Sequence, residues 1–123
     1  MYHDKTDWGE NVAGNSGKGG WGELKTTEQV LSRFVEREAD WEWPRNSHLT
    51  QVLWRATRYV GCAEAARPKE GGGMCRTQVC RYASPGNCGM GKHEDPSRKD
   101  WWKVPVMAEK NRCGHDCPPE GCY

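Results

Sequence analysis

The sequence predicts an α+β domain, on three observations: one amphipathic helix, neighbouring segments of strand-like composition that carry apolar residues on both faces, and a supply of cysteines that compensates for a thin core. At 123 residues the chain has the size of a single domain. It holds four Leu, eight Val, one Phe and no Ile, a content of large aliphatic and Phe residues below the roughly 20% at which composition alone suggests disorder. Seven Trp offset this with large buried areas, and a net charge of +1 lacks the self-repulsion that keeps disordered chains open. Seven Cys supply the rest, since each disulfide contributes about 2–4 kcal/mol. They imply an oxidising, extracellular compartment, and the odd count implies a sulfur that is free or bonded outside this chain.

The elements follow in order. Residues 11–22, rich in Gly with Asn and Ser, predict a flexible loop. Lys18 lacks the Gly-Lys-Ser/Thr ending of a phosphate loop. Thr26-Thr27-Glu28-Gln29 has capping-box spacing. Val30, Leu31, Phe34, Val35 and Trp41 continue as one apolar stripe, predicting a helix over about 27–41 that ends before Pro44. Leu49 to Trp54 predicts a strand with Leu49 and Leu53 on one face and Val52 and Trp54 on the other, buried within a layered structure. Arg58–Ala63 and Arg76–Ala83 predict two more strands, with a Gly-rich loop between them. From about residue 91 the chain turns polar and turn-rich, and residues 91–123 are expected to form an appendage ordered by their own cysteines.

Several function classes are excluded at this level. No apolar stretch approaches the roughly 20 residues of a membrane span. Near-neutral charge without a basic block argues against a nucleic-acid partner. No nucleophile and base stand at a recognisable catalytic spacing, so no catalytic residue is assigned. Met1-Tyr2-His3-Asp4-Lys5 has none of the features of a signal peptide, so a secreted protein of this sequence is expected to have more chain upstream. Trp101-Trp102 beside Lys99 and Lys103 suits a membrane interface or a glycan less well than packing back onto the domain. Cys113-Gly114-His115-Asp116-Cys117 with Cys122 has the donor types of a zinc knuckle but lacks the Cys-x-x-Cys hook, and disulfides are the better expectation. Cys62, Cys75, Cys80, Cys88, Cys113, Cys117 and Cys122 are thus all structural disulfide candidates, with connectivity open.

Four segments carry a family resemblance. Ser47-His48-Leu49-Thr50-Gln51-Val52-Leu53-Trp54 resembles the Gly-His-Tyr-Thr-Gln-Val-Val-Trp signature of the CAP superfamily, the cysteine-rich secretory proteins, antigen five and plant pathogenesis-related proteins. Cys80-Arg81-Tyr82-Ala83-Ser84-Pro85-Gly86-Asn87 resembles its Cys-Asn-Tyr-x-Pro-x-Gly-Asn signature. Gly9-Glu10-Asn11-Val12-Ala13 is similar to its Gly-Glu-Asn-Leu-Ala segment, and Val60-Gly61-Cys62-Ala63 to its Val-Gly-Cys-Ala. The four stand in family order, so residues 1–90 are expected to form a partial CAP domain.

The resemblance implies a three-layer α/β/α sandwich around a central antiparallel sheet, here lacking the first helix. It also implies a cleft with two histidines and two glutamates that holds a divalent cation such as zinc. By motif His48 is one histidine, Glu10 one glutamate and His3 the other histidine, giving a metal set of His3, Glu10 and His48. Counting back from Trp41, which stands at the family's aromatic position after the helix, the second glutamate falls on Arg37, flanked by Glu36 and Glu38. A guanidinium there opposes a cation and favours an anion or a pairing with Glu10, so metal affinity is expected to be weakened or absent. The function implied is that of a secreted, non-enzymatic binding module for a lipid, sterol or protein partner, in defence or extracellular signalling. The rival is a divalent-metal-dependent hydrolase built on the same cleft.

Overall fold

The computed structural model describes residues 8–17 and 24–113. In chain order these form β1 (Gly9–Gly17), α1 (Thr27–Glu38), α2 (Ser47–Leu53), β2 (Tyr59–Pro68), β3 (Met74–Ala83), a 3-10 turn (Met90–His93) and the short α3 (Lys103–Met107). The sheet is antiparallel with strand order β1-β3-β2. The α+β class is the expected one.

The capping box opens α1 as its sequence predicts. The Thr26 hydroxyl accepts from the Gln29 amide at 3.2 Å, and the Gln29 side chain accepts from the Thr26 amide at 3.0 Å. Val30 and Phe34 then bury against Ala13 of β1 and Cys80 and Tyr82 of β3. β2 and β3 form a hairpin whose turn closes with the Lys69 amide donating to the Gly73 carbonyl at 2.9 Å. Gly71, Gly72 and Gly73 take φ of 85°, 102° and 88°, a run of left-handed backbone that explains the three glycines in a row. Cys62 and Cys80 face each other across the hairpin and are disulfide-bonded.

Helices cover the sheet face that carries Ala13, Cys80 and Tyr82. On the opposite face Thr77 and Arg81 of β3 and Gly61, Ala63 and Ala65 of β2 are exposed. The described residues therefore supply the sheet and one helical layer on its face.

Three expectations are corrected. The segment 49–54 is helical, not a strand: a short apolar run bounded by turn residues is compatible with either, and Leu49, Thr50 and Gln51 are buried together on one helical turn. The Gly-rich stretch after Asn11 continues β1 to Gly17, because pairing with β3 overrides its weak strand propensity. The described part of the expected tail, residues 91–113, packs onto the domain. Met90, Trp102, Val106 and Cys113 pack with Leu49, Trp54 and Ala56 into a second cluster, with Trp101 against it. The Trp54 indole donates to the Asn111 carbonyl at 2.8 Å, and Cys88 and Cys113 are disulfide-bonded. The tryptophan pair thus packs inward, as expected. A smaller difference is the end of α1 at Glu38, where the Trp41 amide turns back onto the Glu38 carbonyl.

The buried Tyr82 phenol accepts from the Asn11 amide at 2.9 Å. Burial pushes this phenol well above the ordinary tyrosine value, and the Asn11 hydrogen bond offsets only part of that rise. A raised folded value contributes stability that is whole below the unfolded tyrosine value of about 10 and is lost as the pH rises from there toward the folded value. Of the four tyrosines, Tyr82 should stay protonated until alkaline unfolding. Phenolate absorbance titrations of the wild type and Tyr82→Phe should therefore superimpose up to that transition; a step near pH 10 missing only from the variant would contradict this.

Candidate functional site

The site is built where β1, α1 and α2 meet. The Asn46 N-cap of α2 makes no side-chain capping bond. Glu38, from the last turn of α1, supplies the cap instead. Its Oε1 accepts from the His48 amide at 3.0 Å and the Leu49 amide at 3.3 Å, and its Oε2 lies 2.7 Å from His48 Nδ1. Glu38 is 2% exposed, and a carboxylate buried this deeply is tolerable because amides at a helix N-terminus and an imidazole N–H share its charge. With the carboxylate as acceptor, Nδ1 carries the proton and Nε2 is the ring nitrogen left for other work. The imidazole stacks on Phe34 at 5.2 Å between centroids.

The two signature segments touch each other. The Thr50 hydroxyl donates to Asn87 Oδ1 at 2.7 Å, the Asn87 amide donates to the Ser47 carbonyl at 2.8 Å, and Gln51 Oε1 accepts from the Gly86 amide at 2.8 Å. Asn11 of the β1 segment adds a hydrogen bond to the His48 carbonyl at 3.1 Å. A Cβ at Gly86 would stand 2.6 Å from Gln51 Nε2 and 2.8 Å from Trp54 Cγ. Gly86→Ala should therefore cost about 1–3 kcal/mol by overpacking; an unchanged denaturation midpoint would show that this contact does not constrain the fold.

Around His48 opens a cleft of about 260 Å³. Its apolar walls include Val12, Phe34 and Trp41, and Arg33, Arg37 and Arg45 line it together with Glu38 and His48. Arg33 is held by a hydrogen bond to Gln78 Oε1, and the Arg45 guanidinium lies over the Trp41 ring at 4.7 Å.

The expected site residues separate in this geometry. His48 and Arg37 line the cleft. Glu10 pairs with Arg81, its cross-strand neighbour, at 3.2 Å. By strand alternation that pair projects from the face opposite the one from which Asn11 and Tyr82 reach each other. Glu10 is not among the residues that line the cleft around His48. Glu36 is exposed and lines the neighbouring grooves along α1. His3 lies outside the described residues, as do Cys117 and Cys122. Among the described cysteines four are disulfide-bonded and Cys75 is free. Glu38 is the functional residue missing from the sequence-derived set; its signal was present as an acid beside the position where counting placed Arg37.

No three His, Cys, Asp or Glu side chains converge among the described residues. The one cleft carboxylate is already committed to α2, and three guanidinium groups share its space.

No family model matches the chain. Among curated proteins it is 31% identical over 95 residues to "Pathogenesis-related protein PR-1" of Medicago truncatula, a match covering 71% of this chain and 50% of that protein. It is 45% identical over 40 residues to "GLIPR1-like protein 1" of Homo sapiens, covering 32% of this chain and 16% of that one. The chain thus matches half the length of the plant relative and a smaller share of the human one.

Proposed function

For a chain whose matched region belongs to the CAP superfamily, we propose the role of a secreted, non-enzymatic binding module that holds a lipid, sterol or protein partner. The observation that carries this reading is the employment of His48. The signature histidine is fixed by Glu38 at 2.7 Å as part of the α2 cap, and the cleft it faces has aromatic walls and a cationic lining. Such walls suit retention of an amphiphile, with its apolar body on Phe34 and Trp41 and its polar end among the arginines. Two disulfides fit an oxidising compartment, and no helix among the described residues is long and apolar enough to cross a membrane.

The lipid form of this proposal is tested with neutral phosphatidylcholine vesicles with and without cholesterol, by flotation and by competition with free sterol. Saturable, competable binding is the expected result. Failure to float with either vesicle, together with no sterol competition, removes the lipid and sterol partners and leaves a protein partner as the form to pursue.

A further inference from the structure

We infer that the cleft between β1, α1 and α2 is an anion-binding site, selective for an oxyanion carried on a flat or apolar group. This deepens the binding-module reading and rests on its cleft, but not on a lipid occupant. The charge count is the first argument. Arg33, Arg37 and Arg45 line the cleft, and Glu38 is the one carboxylate among the lining residues. Both Glu38 oxygens are taken, one by the His48 and Leu49 amides and the other by His48 Nδ1. Its single charge is aimed at the α2 turn and is outnumbered by three guanidinium groups, leaving the cleft net cationic.

The second argument is that the arginines have no internal acid to satisfy them. Among the described residues none of the three is ion-paired with a carboxylate. Arg33 is oriented by the neutral, buried Gln78 side chain, and Arg45 by the face of Trp41. Anchoring of this kind sets direction without cancelling charge. Guanidinium forks match the paired oxygens of carboxylates, phosphates and sulfates. Glu28 and Glu36 share an adjoining groove along α1 with Arg33 and Arg37 but form no ion pair with them among the described residues and do not line this cleft.

The third argument concerns shape. A volume of about 260 Å³ admits one small headgroup with a ring, and Phe34 and Trp41 supply apolar walls beside the cations. The same guanidinium groups that make the cleft poor for a divalent cation make it suited to an anion.

The test is a tryptophan-fluorescence titration of the whole chain with phenyl phosphate, benzoate, inorganic phosphate and zinc chloride, in parallel with Arg37→Glu and Arg37→Lys. Arg37 is exposed in the last turn of α1, so Arg37→Lys should keep the wild-type denaturation midpoint and Arg37→Glu should lower it only slightly. Expected are saturable binding of phenyl phosphate and benzoate, weaker binding of inorganic phosphate, and a loss of at least about tenfold in Arg37→Glu with an intermediate loss in Arg37→Lys. The inference is overturned by no saturable binding of any oxyanion, by equal affinity in wild type and Arg37→Glu, or by one-to-one zinc binding that oxyanions do not weaken. Phenyl phosphate binding by a protein that ignores neutral vesicles and sterol would sustain this inference while removing the lipid reading; vesicle binding without oxyanion binding would do the reverse.

Discussion

Glu38→Ala should lower the unfolding free energy by about 3 kcal/mol, the largest loss expected from any single polar substitution in this chain. Three hydrogen bonds end on that carboxylate, two from the α2 amides and one from His48. Removal leaves the first turn of α2 without a side-chain cap, because Asn46 makes none. It also frees the His48 ring from its anchor. Glu38→Gln keeps the shape and an acceptor oxygen but not the charge, and should lose about half as much. Denaturant midpoints of the two variants measure both. A loss below about 1 kcal/mol in Glu38→Ala would mean that α2 is capped by other means.

Trp54→Ala should cost about 3–5 kcal/mol and loosen the segment 89–113 along with α2. Trp54 is 2% exposed, sits among Leu49, Met90, Trp102 and Val106, and donates its indole N–H to the Asn111 carbonyl. The cavity left behind would be bordered by two parts of the chain that this cluster, the Cys88–Cys113 bond and the hydrogen bond from the Arg55 amide to the Val106 carbonyl hold together. Limited proteolysis gives the matching readout, with cleavage within 89–113 appearing in Trp54→Ala under conditions where the wild type is intact. Stability loss without new cleavage there would show that the disulfide and the Arg55 hydrogen bonds suffice to keep the segment in place.

The parts of this fold written in local chemistry were legible in the sequence. The capping box at Thr26 and the spacing of Val30 and Phe34 locate α1 to within a turn, and the residues from Arg58 and Arg76 onward mark strands β2 and β3. The segment around His48 has the local pattern of a strand because its helical identity is tertiary: Leu49 and Trp54 face a cluster completed by residues forty to sixty positions later, and the helix cap comes from Glu38, ten positions earlier. No window of local periodicity contains either fact. The tail reads as an appendage for a related reason. Its polar composition is real, but Trp102, Val106 and Asn111 are enough to bind it to the core.

For the site, motif similarity identified His48 and pointed to Arg37 as a departure that favours anions. It could not show that the neighbouring Glu38 takes over the contact to the histidine, since helix geometry turns adjacent side chains by about 100°. Similarity likewise set Glu10 beside His48, whereas strand alternation and its cross-strand pairing direct Glu10 to Arg81.

The central claim is that Glu38 holds His48 through Nδ1, so that the neutral ring carries its proton there and leaves Nε2 bare. Long-range proton–nitrogen NMR spectra of the His48 ring in its neutral form test it directly. The account predicts the Nδ1–H tautomer, with a protonated Nδ1 and a bare Nε2, and loss of that preference in Glu38→Ala. A neutral ring protonated at Nε2 in the wild type would contradict it.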